Sequence, residues 1–455
     1  MTERSDVTRA LAEWVVSCDL PAIPEDIRKE GVRTFVNWMG CAVGGARHET
    51  VDRALAAVMP FSGPSEATVL GRVERLDPLH AALLNGISSH VLDYDDTHLK
   101  TIIHPAGPVA SALLGVAETR PMSGEVFLNA LIVGIETECR IGNAIYPDHY
   151  DRGWHITGTA GVFGAAAAVG RVLSLDVQRM SWAFGIAATQ SSGFREMFGT
   201  MCKSFHPGRA AQNGAMAAFL ANAGFDSSER AIEAPRGFAN VMSTKQDYSE
   251  ILDGLGQTWE AALNSYKPFA CGIVIHPTID GCIQLREELG DDVAQIDKVE
   301  LRAHPLVLEL TGKTEPRTGL EGKFSVFHAA ATALLRGDGS PSAFTDESVT
   351  NPELAALRRK VQIMTDERCH EASVDIIVTL EDGRRIQKQV ERAIGSLERP
   401  LSDEQINTKF RGQAAAVIGE QACEALIAAS WQLEKTADVA TIAKASVPGA
   451  SSVNE

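Results

Sequence analysis

Gly158-Thr-Ala-Gly161-Val-Phe-Gly164-Ala-Ala-Ala-Ala-Val-Gly170 is the stretch on which the fold turns. It puts small side chains on several faces of a helix, so that neighbouring helices can approach closely, and it reads as the centre of a helical bundle. The Gly-x-x-Gly-x-x-Gly spacing also admits a phosphate-binding loop. No strand pattern precedes it and no Gly-Lys-Ser/Thr follows, so the bundle reading is the one carried forward. The same Ala- and Gly-rich character extends over residues 154–225.

Towards the N-terminus, residues 8–17, 25–43 and 51–59 show apolar residues at three- and four-residue spacing, which predicts helices. Residues 59–66, with two Pro and a Gly, punctuate the series. A helix is expected over 78–94 with Asp77 as its N-cap, followed by helices over 108–120 and 124–145. After Lys267 the character changes. Residues 297–310 and 372–390 alternate like strands, and Glu381-Asp-Gly383 is a hairpin turn between 374–380 and 385–390. Helical patterns at 325–335 and 352–361 lie between them, so an α/β unit is expected at about 270–395. Helix returns over 403–418 and 420–432 and could rejoin the first helical region.

The chain has 455 residues, 45% apolar and 22% charged, an ordinary globular balance. Its 42 Lys+Arg stand against 59 Asp+Glu, a net charge of −17 that repels a phosphate backbone. Nucleic acid is therefore excluded as a partner. An anionic small substrate is not, provided that specific Lys, Arg or His residues line its pocket. No apolar run reaches the roughly 18 residues of a membrane span. Eight scattered cysteines without a Cys-x-x-Cys pair read as reduced thiols, so a cytoplasmic protein is expected, with no membrane partner.

Four polar clusters are candidates for chemistry. The first is Asp93-Tyr-Asp95-Asp96-Thr97-His98, followed by His104-Pro105, at the end of an apolar helix. It admits acid–base work, metal binding through Asp93, Asp96 and His98, or a capped loop without function. The second is Gly153-Trp154-His155 at the start of the small-residue helix. The positive field of a helix N-terminus there favours a neutral imidazole that can accept a proton. In the third, Lys203-Ser-Phe-His206-Pro207-Gly208-Arg209, three basic side chains recur at three-residue spacing and could clamp a carboxylate, with Pro207 and Gly208 interrupting any simple helix. The fourth is Tyr266-Lys267-Pro268-Phe269-Ala-Cys271-Gly272 at the junction of the two regions, where Lys267 is a second clamp and Cys271 reads as a buried, inert thiol. His304 reads as structural.

These four segments, in this order and within an organisation that runs along nearly the whole chain, resemble the MmgE/PrpD family. That family includes 2-methylcitrate dehydratase, cis-aconitate decarboxylase and iminodisuccinate epimerase. The resemblance implies a mainly α fold, with a large all-helical domain formed by both chain ends (1–268 and 396–445) and a smaller α/β lid domain (269–395). It implies a homodimer, and no metal or organic cofactor. The last dozen residues, 444–455, read as frayed, with a flexible tail at 446–455. By motif match the family's site residues fall on Asp93, Thr97, His104, His155, Lys203 and Lys267, with Arg209, His206 and Tyr146 as further candidates for binding substrate. Decarboxylases of the family carry a His where Gly272 stands and a Tyr that residues 308–314 lack. Dehydratases of the family carry a longer, Trp-containing stretch where Leu99-Lys-Thr-Ile-Ile103 stands.

The activity expected is cofactor-independent removal of a proton beside a carboxylate. Water would then be eliminated from a citrate-like acid such as 2-methylcitrate. Epimerisation of an amino-dicarboxylate such as iminodisuccinate, or cis-aconitate-type decarboxylation, are the alternatives. In this scheme Lys203 and Lys267 hold carboxylates, His155 is the base, and Asp93 or His104 orients it or serves as the acid. A Mg²⁺-dependent prenyl-diphosphate enzyme and a non-catalytic carboxylate-binding protein are more remote readings.

Overall fold

The structure is a computed structural model and describes residues 6–449. Helices dominate it. The helix Ile156–Val172 is buried along almost its whole length and packs against Gly124–Ile145, Ala106–Ala117, Val177–Thr189 and Met201–Asn222. Its small residues are what allow this. A Cβ on Gly164 would sit 2.8 Å from the Gly134 carbonyl, and one on Gly214 would sit 2.6 Å from the Val162 carbonyl. Gly158, Gly161 and Gly164 thus lie inside a continuous buried helix, which removes the phosphate-loop reading.

Local signals place most of the other helices. Asp77 caps Pro78–Val91 by accepting from the amides of Leu79 and His80. Ser123 caps Gly124–Ile145, and Ser402 with Gln405 forms a capping box on Asp403–Ile418. The helices Asp403–Ile418 and Glu420–Trp431 pack on Glu25–Gly45, so residues from both ends of the chain share one apolar core.

A second core is built mainly from residues between about 269 and 390, with Cys41 and Tyr94 of the helical part packed into it. It holds a four-stranded sheet with spatial order Val361–Thr365, Ile296–Ala303, Val374–Leu380, Arg385–Val390. The first pair is parallel and the other two antiparallel. Val374–Leu380 alternates buried and half-buried residues, its apolar face covered by the helix His276–Leu289, on which Val326–Arg336 packs. The molecule is mainly α with a small α/β part.

Several expectations need correction. Residues 297–310 are not one strand: the chain leaves the sheet at Ala303, and His304-Pro305 starts the helix Pro305–Thr311, with the His304 side chain capping Leu306 N–H. Pro at the first helical position costs no hydrogen bond, which the alternation pattern could not register. The helical pattern at 352–361 stops at Arg358, and Val361–Thr365 is an edge strand. Pro207 and Gly208 do not interrupt Met201–Asn222, which runs through both. Of the segment expected to fray, residues 444–449 include the end of a helix, Ala440–Ala445, and a fully buried Ser446. Residues 450–455 lie outside the described part. No helix among the described residues is long and apolar enough to cross a membrane.

Candidate active site

The helix Pro78–Val91 delivers the first site residues and then breaks sharply. Its last turn holds His90, and Asp93 follows at a positive φ of 50°. The chain turns again at Ile102, also at positive φ (62°), an uncommon conformation for a β-branched residue. Between these turns, Asp96–His98 is a short strand paired antiparallel with Asn264–Tyr266. That pairing carries the fourth sequence cluster to the first, since Lys267 follows the partner strand directly. The helix Met201–Asn222 brings Lys203, and His155 immediately precedes Ile156–Val172.

These elements close a cavity lined on its polar side by Asp93, His104, His155, Lys203 and Lys267. Ile102, Tyr150 and Phe198 from the helical unit, and Ile273, Leu310 and Phe324 from the α/β part, form its apolar side. About 30 Å³ is open inside. Phe198, Leu310 and Phe324 separate it from an outer cleft of about 750 Å³ that also holds Arg152, Arg195 and Lys313.

Asp93 is the electrostatic centre. Its Oδ1 pairs with Lys203 Nζ at 3.1 Å and makes a short contact with Lys267 Nζ, which also donates to the Asp93 carbonyl. Burial alone would raise the Asp93 pKa, but Lys203 and then Lys267 hold it well below the usual carboxylate range. Lys203 is shifted down by burial, partly offset by Asp93, and its ammonium lies 5.4 Å from the Phe198 and Phe324 ring centres. Lys267 is shifted up, because Asp93 and Asp95 outweigh its burial.

The imidazoles in and around the cavity are neutral. Burial lowers His155 well below an ordinary imidazole, and His206 and Lys203 add to the effect. His104 is lowered by burial against the opposing pull of Asp95. Its Nδ1–H donates to the Asp96 carbonyl at 2.7 Å, so its Nε2 carries the lone pair. His155 Nδ1 lies 2.8 Å from His206 Nδ1, and one of the two must donate.

The remaining sequence candidates separate clearly. Thr97 is buried beside His104, 3.4 Å from its Nδ1, and His206 supports His155 from behind. Neither lines the cavity. Tyr146 packs near Tyr150 in a small apolar cluster around Ile103 and Ile156. Arg209 does not reach the site: it lies exposed on the outer face of its helix, bonded to Gln212. At about 100° per residue in a continuous helix, the six residues from Lys203 to Arg209 leave Arg209 about 120° round the helix from Lys203. Cys271 is buried and its thiol pushed far up by that burial, as expected of an inert thiol.

The metal reading of Asp93, Asp96 and His98 fails on their partners. His98 is held between Thr101 and Glu260, Asp96 takes Asn264 and the Ala106 amide, and Asp93 takes the lysines. Among the described residues, His90, His104 and His155 are the group whose ligand atoms come within 4.8 Å of one another. Lys203 Nζ lies 3.0 Å from His90 Nε2, so a positive charge already stands where a metal would sit. The donor set suits an anion better.

Sequence reasoning missed His90 and Lys323, and gave Asp95 no role of its own within the first cluster. His90 and Asp95 are fully buried and bonded to each other (Nδ1 to Oδ2, 2.6 Å). Lys323 is buried in the α/β part and donates to the Leu92 and Ala270 carbonyls at 2.7 and 3.0 Å. His90 could have been found, as it stands in the last turn of the helix that leads into the Asp cluster. Nothing in the local sequence marks Lys323.

The N-terminal segment, 9–251, matches the model of the MmgE/PrpD N-terminal domain, and 269–434 matches that of the MmgE/PrpD C-terminal domain. The chain belongs to the MmgE/PrpD family. Its members include proteins similar to this one over nearly the whole length. Cis-aconitate decarboxylase of Aspergillus terreus is 27% identical, over 96% of this chain and 95% of its own. The cis-aconitate decarboxylases of Homo sapiens and Mus musculus are 26% and 25% identical, each over 96% of this chain and 93% of their own.

Proposed function

We propose that the protein is a lyase of a small di- or tricarboxylate, which it starts by removing a proton beside a carboxylate, and that the group then lost from a citrate-like acid is water. The observation that carries this reading is the cavity itself: neutral imidazoles and paired lysine ammoniums face one buried space. A base is then available without first losing a proton, and developing negative charge meets fixed cations in a dry site.

Lys203 is the better carboxylate holder of the two lysines. Lys267 is engaged by Asp93 through both side chain and carbonyl, so its main work is to keep Asp93 in place. His104 and His155 divide the proton transfers. His104 has its lone pair on Nε2 and suits the base. His155 suits the acid when His206 donates to its Nδ1, which leaves the proton on Nε2. In dehydration the base takes the α-proton, the C–O bond breaks as the C=C bond forms, and the departing hydroxide takes the proton of the acid and leaves as water. This exchanges the roles expected from sequence, because the Asp96 carbonyl fixes the His104 tautomer. Asp93, held ionised, does not serve as an acid. A homodimer is part of the proposal by analogy with the family.

A second reading, decarboxylation of cis-aconitate, is favoured by the names of the relatives. Gly272 lines the cavity where family decarboxylases carry a His, and Leu310 and Thr311 stand in the segment that lacks their Tyr. Both weigh towards water loss. The deciding experiment is proton NMR in D₂O with citrate, 2-methylcitrate, cis-aconitate and an amino-dicarboxylate. New vinyl signals from the hydroxy acids support dehydration. Itaconate with CO₂ from cis-aconitate overturns it in favour of the second reading. Loss of an α-proton signal without a new product means epimerisation. His155→Ala and Lys203→Ala are each expected to lower kcat by at least about 100-fold, the usual range for one acid–base group, with folding intact by circular dichroism. Turnover near that of the unaltered protein in either variant contradicts the assignment.

A further inference from the structure

Lys203 owes its geometry to two residues that the proposed chemistry does not use. Asp95 is fully buried, and its Oδ2 lies 2.6 Å from His90 Nδ1. A carboxylate can only accept, so Nδ1 carries the imidazole proton and Nε2 is left with a lone pair. Lys203 Nζ lies 3.0 Å from that Nε2. Of the three ammonium hydrogens, one is then taken by His90 and one by Asp93 Oδ1 at 3.1 Å. The third is left for the cavity that Lys203 lines.

We propose that Asp95 and His90 act as a two-residue support that fixes the direction of the third Lys203 N–H, so that His90 is a positioning residue for the cation that receives the substrate carboxylate. The opposite His90 tautomer would set an N–H against the ammonium, and Lys203 would swing or lose its proton. The support is rigid. His90 is wedged edge-on against His104 at 4.7 Å between ring centres, and Asp95 Oδ1 approaches His104 Nδ1 at 3.4 Å and Lys267 Nζ at 3.8 Å. His90 and His104 oppose the effect of burial and hold the Asp95 carboxyl below the usual carboxylate range. This is the logic of a carboxylate that sets a histidine tautomer, with a lysine in the place of a nucleophile or metal.

The inference rests on Lys203 as the carboxylate holder, and its test has one arm that does not. With ¹⁵N-labelled histidine, His90 is expected to show a protonated Nδ1 and a bare Nε2 from pH 6 to 8. A protonated Nε2 overturns the proposal whatever the reaction is. The second arm is calorimetric titration of cis-aconitate and citrate into the unaltered protein, His90→Leu and His90→Gln. Leu removes the acceptor, and Gln returns an oxygen near the Nε2 position. Affinity is expected to fall about ten- to hundredfold in His90→Leu, the worth of one charge-assisted hydrogen bond, and to return to within about fivefold in His90→Gln. Equal loss in both variants, or no loss in His90→Leu, overturns the proposal. If the unaltered protein binds neither acid, the proposed function falls while the tautomer measurement still decides the role of His90.

Discussion

Asp96 has the pKa of a misplaced acid and yet sits at the base of the site. It is fully buried, and burial, together with the neighbouring Asp95 charge, raises it to about 7, against the bonds from Asn264 and the Ala106 amide. The folded state therefore holds a proton that the unfolded chain releases near pH 4. Between these values the unfolded state binds fewer protons, so this residue makes stability fall as pH rises. Asp96→Asn removes the titration. Its Tm relative to the unaltered protein is expected to climb as pH is raised from 5 to 8, a trend that differential scanning calorimetry reads directly. A constant difference across that range would show that Asp96 is not the titrating group. The acid-rich segment was visible in the sequence, but not which acid is ionised. Asp93 and Asp95 meet cations and imidazoles brought from elsewhere, whereas Asp96 meets only neutral donors and another acid.

At the scale of elements, one helix crossing sets the distance between His90 and Lys203. The helices Pro78–Val91 and Met201–Asn222 meet at Gly86 and Gly208, where a Cβ on Gly86 would lie 2.5 Å from the Gly208 Cα. His90 stands one turn after Gly86, and Lys203 a little more than one turn before Gly208. Gly86→Ala forces the backbones apart, at a cost of about 1–3 kcal/mol by the usual range for overpacking. A urea melt at constant m-value is expected to show that loss. Turnover should fall further than the lost stability explains, because the 3.0 Å contact opens. Full activity in a destabilised Gly86→Ala would separate the crossing from the site. The capping residues and the three- and four-residue apolar repeats made these helices legible in advance. The pairing of Asp96–His98 with Asn264–Tyr266 was not, since a three-residue strand has too few residues for a period and its partner lies 168 positions away.

At the scale of the molecule, the site lies at the seam between the two cores, and residues from both units hold it. Phe198 of the helical unit stacks on Phe324 of the α/β part with ring centres 5.4 Å apart, and Arg195 pairs with Glu309 across the outer cleft. Phe198, Leu310 and Phe324 line both the inner cavity and the outer cleft, so the way in passes between side chains of the two units. Lys323 ties the seam at its base through the Leu92 and Ala270 carbonyls. Lys323→Met is expected to cost about 1–3 kcal/mol, because two buried acceptors lose their donor, and to do so in chemical denaturation without change in secondary structure. Glu309→Gln should cost under about 1 kcal/mol, since its carboxylate is more than half exposed. A larger loss for Glu309→Gln than for Lys323→Met would reverse this ranking. By itself the sequence determined the helical bundle around Gly158–Gly170, the change to α/β character after Lys267, and Asp93, His104, His155, Lys203 and Lys267 as the residues to watch. These follow from local rules: periodicity, capping and residue type. Only the tertiary structure decided that His90 and Lys323 belong with them, that Asp95 bonds to His90, that Arg209 does not reach the site, and which histidine nitrogen carries the lone pair. Those outcomes depend on which carbonyl or carboxylate a distant segment places within 3 Å, and no local pattern encodes that distance.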